Sequence, residues 1–202
     1  MAEKKVKRHA IDIDRMPEKF PTHDHEAAFW ESLGRTVGTF GFLEEVLGKA
    51  IFAFTATRPY QEAEVRQAYA EWLPTLERAL IDPLGKLIDA YEKAVREHPC
   101  ATTDNFDDLL DDLRKASSMR NILCHGSWGP PDPSGASLPL FVNRQKLVVD
   151  SAMDRQFIDQ VQRHAAGLAI AILNTVTHMG WQFPGSAGPG VAILQDPPMT
   201  QG

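Results

Sequence analysis

Arg120, Asn121 and His125 lie close together in the run Ser118-Met119-Arg120-Asn121-Ile122-Leu123-Cys124-His125-Gly126-Ser127-Trp128. Arginine carries a permanent charge on a planar fork of donors that matches phosphate. Histidine gives or takes a proton near neutral pH. No other segment of the chain gathers residue types so suited to phosphate chemistry. Asn121 and His125 are four apart, so on a helix they share a face, and the amide is expected to hydrogen-bond the imidazole and fix its tautomer. Arg120 and His125 are about 140° apart around an ideal helix. They do not stack, but the length of arginine and the nearby helix end let both reach one phosphate. A second subunit with a matching motif would ease that geometry.

Each residue also has a structural role open to it. A histidine at a helix C-terminus caps the dipole. Arg120 could cover a carbonyl or pair with Glu44 or Glu45. Arg114 and Lys115 add basic character around the motif, and they equally fit a solvated helix face.

The elements that must hold this group are helical. From Glu26 to about Ala56, apolar residues recur at Trp30, Leu33, Val37, Phe40, Leu47, Ile51 and Phe54, with Glu44 continuing the stripe as a partly covered acid. Asp24 is a candidate cap. Gly34, Gly38, Gly41 and Gly48 mark a second face, expected to admit another helix very closely, from this chain or from a second subunit. A helix over 61–80 points Val65, Ala68, Tyr69, Trp72, Leu76 and Leu80 to one side, with a kink or restart at Pro74. Asp82-Pro83 reads as a cap and first-turn proline. The next helix, to about Glu97, buries Leu84, Leu87, Ile88, Tyr91 and Val95. Thr103 or Asp104 is expected to cap the motif helix, which buries Phe106, Leu109, Leu110, Leu113, Ala116, Ser117 and Leu123 and stops at Gly126. Residues 129–139, GPPDPSGASLP, cannot be helical. Leu140 to Val149 reads as a strand or small hairpin around Trp128. A last helix runs from about Asp154 to Met179, with Phe157, Ile158, Val161, Ala165, Leu168, Ile172 and Val176 inward. The pattern predicts an all-α, up-and-down helical bundle over 24–180 with a short β insertion at about 127–150 after the motif helix. A flexible basic arm (1–23) precedes it and a Pro/Gly-rich tail (181–202) follows.

Composition narrows the function classes. The chain has 202 residues, enough for one domain with a sizeable core. Its apolar stretches fall short of the ~18–20 residues that span a bilayer, so no membrane role is expected. Two cysteines, Cys100 and Cys124, make no disulfide framework, which points to the cytoplasm. The basic start MAEKKVKRHA has no apolar run behind it and does not read as a secretory signal. The net charge of −6 argues against broad duplex binding and leaves room for a local site. No metal or cofactor is expected: His23 and His25 lack an obvious third ligand, and His164 and His178 are too far apart to share an ion. Cys124 reads as a small buried residue, and Trp128 as the anchor of the β insertion, although it could stack on a base. Phosphate loops, dinucleotide fingerprints and serine-hydrolase elbows are absent from the sequence.

Arg120-Asn121-x-x-x-His125, late in a helix of an all-α bundle, resembles the Arg-x4–6-His signature of HEPN domains, over about residues 24–180. The resemblance implies a metal-independent endoribonuclease of the toxin–antitoxin or phage-defence kind. It implies RNA as substrate, a homodimer with two motifs facing across a cleft, and an antitoxin or defence protein as possible partner. His125 would move the proton of the ribose 2′-hydroxyl or the leaving oxygen, Arg120 would stabilise the phosphate transition state, and Asn121 would orient the histidine or the RNA. Glu44 or Glu45 would be the accompanying acid from an earlier helix. Many HEPN domains are inactive, so the alternative is a non-catalytic helical interaction or phosphate-ligand-binding module.

Overall fold

The longest apolar stripe becomes the longest helix, and the other helices pack around it. The computed structural model describes residues 10–58, 61–101, 103–142 and 148–186. In that span α1 is Ala27–Ala56, α2 Val65–Ile81, α3 Leu84–Arg96, α4 Phe106–His125 and α5 Arg155–Thr177. A two-residue strand β1, Ser127–Trp128, pairs antiparallel with β2, Pro139–Leu140. Single-turn 3-10 helices lie at Ile13–Arg15 and Glu62–Glu64. The chain is thus a helical bundle with one small ribbon, which sits after α4 as expected. The paired stretch begins at Pro139, and the region expected as hairpin adds an isolated bridge between Val142 and Val148. Residues 143–147 of the insertion, 1–9 of the arm and 187–202 of the tail lie outside the described residues.

α1 packs most extensively against α5 and then against α3 and α2, while α4 closes the far side on α3, α5 and α1. Its buried stripe includes Phe29, Leu33, Phe40, Leu43, Leu47, Ile51 and Phe54. Val37, expected in that stripe, is exposed. Thr36 takes the core position, because its hydroxyl donates to the Ser32 carbonyl at 2.8 Å and lies 3.3 Å from the Ile158 carbonyl of α5. A β-branched residue with a satisfied hydroxyl fills the site and also ties the two longest helices together. Tyr91 of α3 does the same across the core. Thr175 of α5 gives its own proton to the Ile172 carbonyl, so the Tyr91 phenol donates to Thr175 at 2.8 Å. Burial pushes that phenol well above its ordinary range.

α2 departs furthest from expectation. It runs through Pro74 without a break. The Ala70 carbonyl that a proline leaves without a donor is on the exposed side, where water can serve it. Val65, Tyr69 and Leu80, expected to point inward, are exposed, Leu80 at 78%. The helix rests on α1 through Ala79, Leu76 and Trp72, whose indole donates to Thr55 Oγ1 at 2.8 Å. The glycine face explains this narrow contact. Only Gly48 meets α2, where a Cβ would lie 3.0 Å from the Ala79 carbonyl oxygen; Cβ atoms at Gly34, Gly38 and Gly41 would meet nothing within 4 Å. Three caps also differ. α1 is capped by the backbone of Glu26, and Asp24 instead faces His23 at 3.5 Å. Asp82 ends α2 and Pro83 takes the cap position of α3. The cap of α4 is Asn105 at φ 53°, a left-handed conformation that asparagine tolerates; Thr103 and Asp104 lie outside it.

The end of α1 is pinned by His98. The Cys100 N–H donates to Nδ1 at 3.3 Å, so the ring proton sits on Nε2 and faces Thr57 Oγ1 at 3.2 Å. Burial, with the Arg58 cation adding to it, holds His98 below its usual 6.5. Arg58 is in turn paired with Glu97 at 3.0 Å. Protonation would set a second N–H against that of Cys100.

In thermal melts, Gly38→Ala is expected to gain about 0.5–1 kcal/mol from helix propensity. Gly48→Ala is expected to lose stability, because α2 must move. The unfolded chain binds a proton at His98 more readily than the native one, so stability begins to fall near pH ~7 and goes on falling below 6.5, toward the lowered native value. Urea titrations at pH values either side of that window are expected to show a shallower drop for His98→Asn than for the native chain, with a residual slope from His25, which burial also lowers.

Candidate functional site

α4 carries the motif, and its end is set by glycine. Gly126 has an ordinary φ of −68°, so a positive φ is not what requires it. Its amide donates to the Ile122 carbonyl at 2.8 Å. A Cβ there would lie 2.6 Å from that oxygen and 3.0 Å from Pro139 Cβ. The bare backbone lets the ribbon fold directly against the last turn. Trp128 follows two residues later and packs edge-on against Phe29 of α1, ring centroids 5.1 Å apart. It anchors the ribbon, as expected.

Arg120 reaches α1. Its Nη2 lies 3.3 Å from Glu44 Oε1, and both side chains are about a quarter exposed, 26% and 28%. The Glu44 oxygen is buried, and the contact lacks the alignment of a hydrogen bond. The guanidinium is therefore held by charge, with no bidentate clamp. Its Nη1 donates to Asn121 Oδ1 at 3.4 Å. Asn121 thus serves Arg120, and the expected amide–imidazole bond is absent among the described residues. The side chain of Asn121 turns toward the longer, charged donor one residue back, a charge-assisted partner that outcompetes the imidazole one turn on.

His125 is the last residue of α4 and is exposed. Despite the 140° offset from Arg120, both line one groove with Asn121. The groove has a volume of about 1280 Å³. That exceeds the ~300–1,000 Å³ of small-molecule pockets and suits an extended ligand. Its walls come from the first turn of α3, the second half of α4, the segments 141–142 and 148–153, and Phe157 of α5. The offset is overcome because the groove curls around the helix end, where α4 gives way to the ribbon. Lys86, Phe141, Val142 and Val148 belong to this groove and had no signal in the sequence. Lys86 reads as one more solvated lysine until α3 is laid against α4.

The other sequence candidates separate cleanly. Glu45 is 57% exposed and pairs with Lys49 at 2.6 Å, with no ion pair to Arg120 among the described residues. It lines a smaller hollow of about 500 Å³ between α1 and α2 that contains none of the motif residues. Arg114 pairs with Glu92 at 2.5 Å and Lys115 with Asp112 at 3.0 Å, so the basic surroundings of the motif are largely neutralised. Cys124 is half-buried and not fully enclosed, since α4 ends beside it. His25 is buried, stacked on Phe29 at 4.2 Å, and more a core residue than part of a polar loop. Among the described residues no three His, Cys, Asp or Glu side chains gather as a metal site, and no helix is long and apolar enough to cross a membrane.

No protein-family model matches the chain, and no curated protein or solved structure shows significant similarity to it. A double-mutant cycle of Glu44→Ala and Arg120→Ala, read by urea denaturation, is expected to give a coupling of about 1 kcal/mol, the scale of a partly screened ion pair. A coupling near zero would mean that the pair does not hold Arg120 in solution.

Proposed function

We propose that the chain is a HEPN-like, metal-independent endoribonuclease. One observation carries the reading: Arg120, Asn121 and His125, brought from two sides of a helix, line a single open groove. A cation and a proton-transfer group facing one space are what cleavage of a phosphodiester by its own 2′-hydroxyl requires. In that reaction His125 takes the 2′-hydroxyl proton. The 2′-oxygen bonds to phosphorus, the bond from phosphorus to the 5′-oxygen breaks, and the leaving oxygen takes a proton. The products are a 2′,3′-cyclic phosphate and a 5′-hydroxyl, with no added reactant. Arg120 neutralises charge gathering on the non-bridging oxygens. Glu44 holds the guanidinium in place, and its unaligned contact leaves Arg120 donors for phosphate. Among the described residues His125 is the one imidazole lining the groove. A second copy of the chain, with its motif facing the first, would supply the second proton-transfer group, so the active form is a homodimer.

The ion pair also favours a second reading. If Arg120 serves only to join α4 to α1, the chain is a non-catalytic helical module that binds a partner or a phosphorylated ligand.

Incubation of the purified protein with single-stranded and structured RNA in EDTA separates the two. Cleavage is expected, falling by at least ~100-fold in His125→Ala and in Arg120→Ala, the size of effect usual for a lost general acid–base group. Intact RNA, or variants that cut as the native chain does, would overturn the ribonuclease reading.

A further inference from the structure

We propose that Lys86 binds a phosphate next to the scissile one, and that this subsite selects single-stranded over duplex RNA. The proposal rests on the ribonuclease reading of the same groove and adds to it a residue from another helix. Among the described residues, four basic side chains line the groove: Lys86, Arg114, Arg120 and His125. Arg114 is held by Glu92 and Asp111, and Arg120 by Glu44. Lys86 is exposed and, among the described residues, has no carboxylate within 4.0 Å. Among the described lysines and arginines of the groove it is the one with no ion pair, whereas Arg120 offers only the donors that Glu44 leaves unused.

Its place relative to the motif follows from helix packing. Gly85 lies against Ser117 of α4, where a Cβ would be 3.8 Å from the hydroxyl. Arg120 is one turn further along α4, about 4.5 Å in rise. The pairing of Glu92 with Arg114 and of Arg96 with Asp107 shows that α3 and α4 run antiparallel, so Lys86 and Arg120 line the same groove from facing helices, offset by about 6 Å along their axes, a separation that successive phosphates of one flexible strand can span.

The remaining wall argues for the single strand. Val142 and Val148 are exposed at 54% and 60%, and they border the groove with Phe141 and Val149. An apolar rim beside a phosphate site offers a surface to an unpaired base, through stacking on Phe141 and contact with the valines. In a duplex the bases are stacked inside and cannot reach it. Asp89 and Asp150 also line the groove. A rigid duplex would bring phosphates against these acids, whereas a flexible strand can route around them.

The test is fluorescence anisotropy with a short, fully 2′-O-methylated single strand, which cannot be cut, followed through a salt titration. Lys86→Gln is expected to weaken binding about tenfold and to lower the slope of log affinity against log salt by about 0.7, one single-strand phosphate contact. Lys86→Arg is expected to retain most of the affinity, and the matching duplex to bind more weakly than the strand. Unchanged affinity and slope in Lys86→Gln, a duplex bound as tightly as the strand, or no binding by the native chain would each overturn the proposal. Cleavage of the unmodified strand is read separately on the same preparations. Binding that depends on Lys86 without cleavage would overturn the catalytic reading and leave the subsite standing. Cleavage with binding indifferent to Lys86 would do the reverse.

Discussion

A carboxylate oxygen of Glu44 sits buried in the middle of the longest helix, and among the described residues the charge that answers it is the guanidinium of Arg120 at 3.3 Å. A carboxylate so placed is costly to leave unpaired. Together with the apolar core that α1 and α4 share, the pair joins α1 to the second half of α4, the half that ends in His125. The ribbon, the groove and the approach of α3 are arranged around that end. The pair is also incomplete as a hydrogen bond, which keeps Arg120 positioned without committing all its donors. The same feature thus serves both architecture and chemistry.

The groove gains from this arrangement what the motif lacks in sequence. Residues five apart on a helix point in different directions, and a small site on the helix flank would not collect both. A long groove bending around the helix terminus does, because Gly126 allows the chain to turn off sharply there without a Cβ in the way. The neutralised surroundings matter as well. With Arg114 and Lys115 tied to acids, positive charge available to a ligand is concentrated at few points. This accords with the net charge of −6, under which the phosphate site proposed for the groove would be a local one.

Much of this was legible from residue order, and the failures have physical causes. The helices, their inward stripes in α3 and α5, the ribbon after α4 and the anchoring role of Trp128 follow from periodicity and from proline and glycine placement. Glu44 was visible because it fills the one gap in an apolar stripe. Val37 was misplaced because a threonine with two carbonyls in reach competes for the core as well as a valine does. Leu80 and Tyr69 were misplaced because an amphipathic stripe states that a face is apolar and not that a partner covers it. Asn121 was matched to His125 by spacing alone, while the charged donor beside it was the stronger partner. Lys86 could not be found at all, since its significance lies in Gly85 meeting Ser117 across more than thirty residues of chain.

The central claim, that Arg120 and His125 act together on a ribose-flanked phosphate, is tested most directly by the chemistry of the ends it leaves. Mass spectrometry of RNA fragments produced by the purified protein in EDTA is predicted to show 2′,3′-cyclic phosphate and 5′-hydroxyl termini. Fragments ending in 3′-hydroxyl and 5′-phosphate would mean that water, and not the 2′-oxygen, attacks, and would contradict the account.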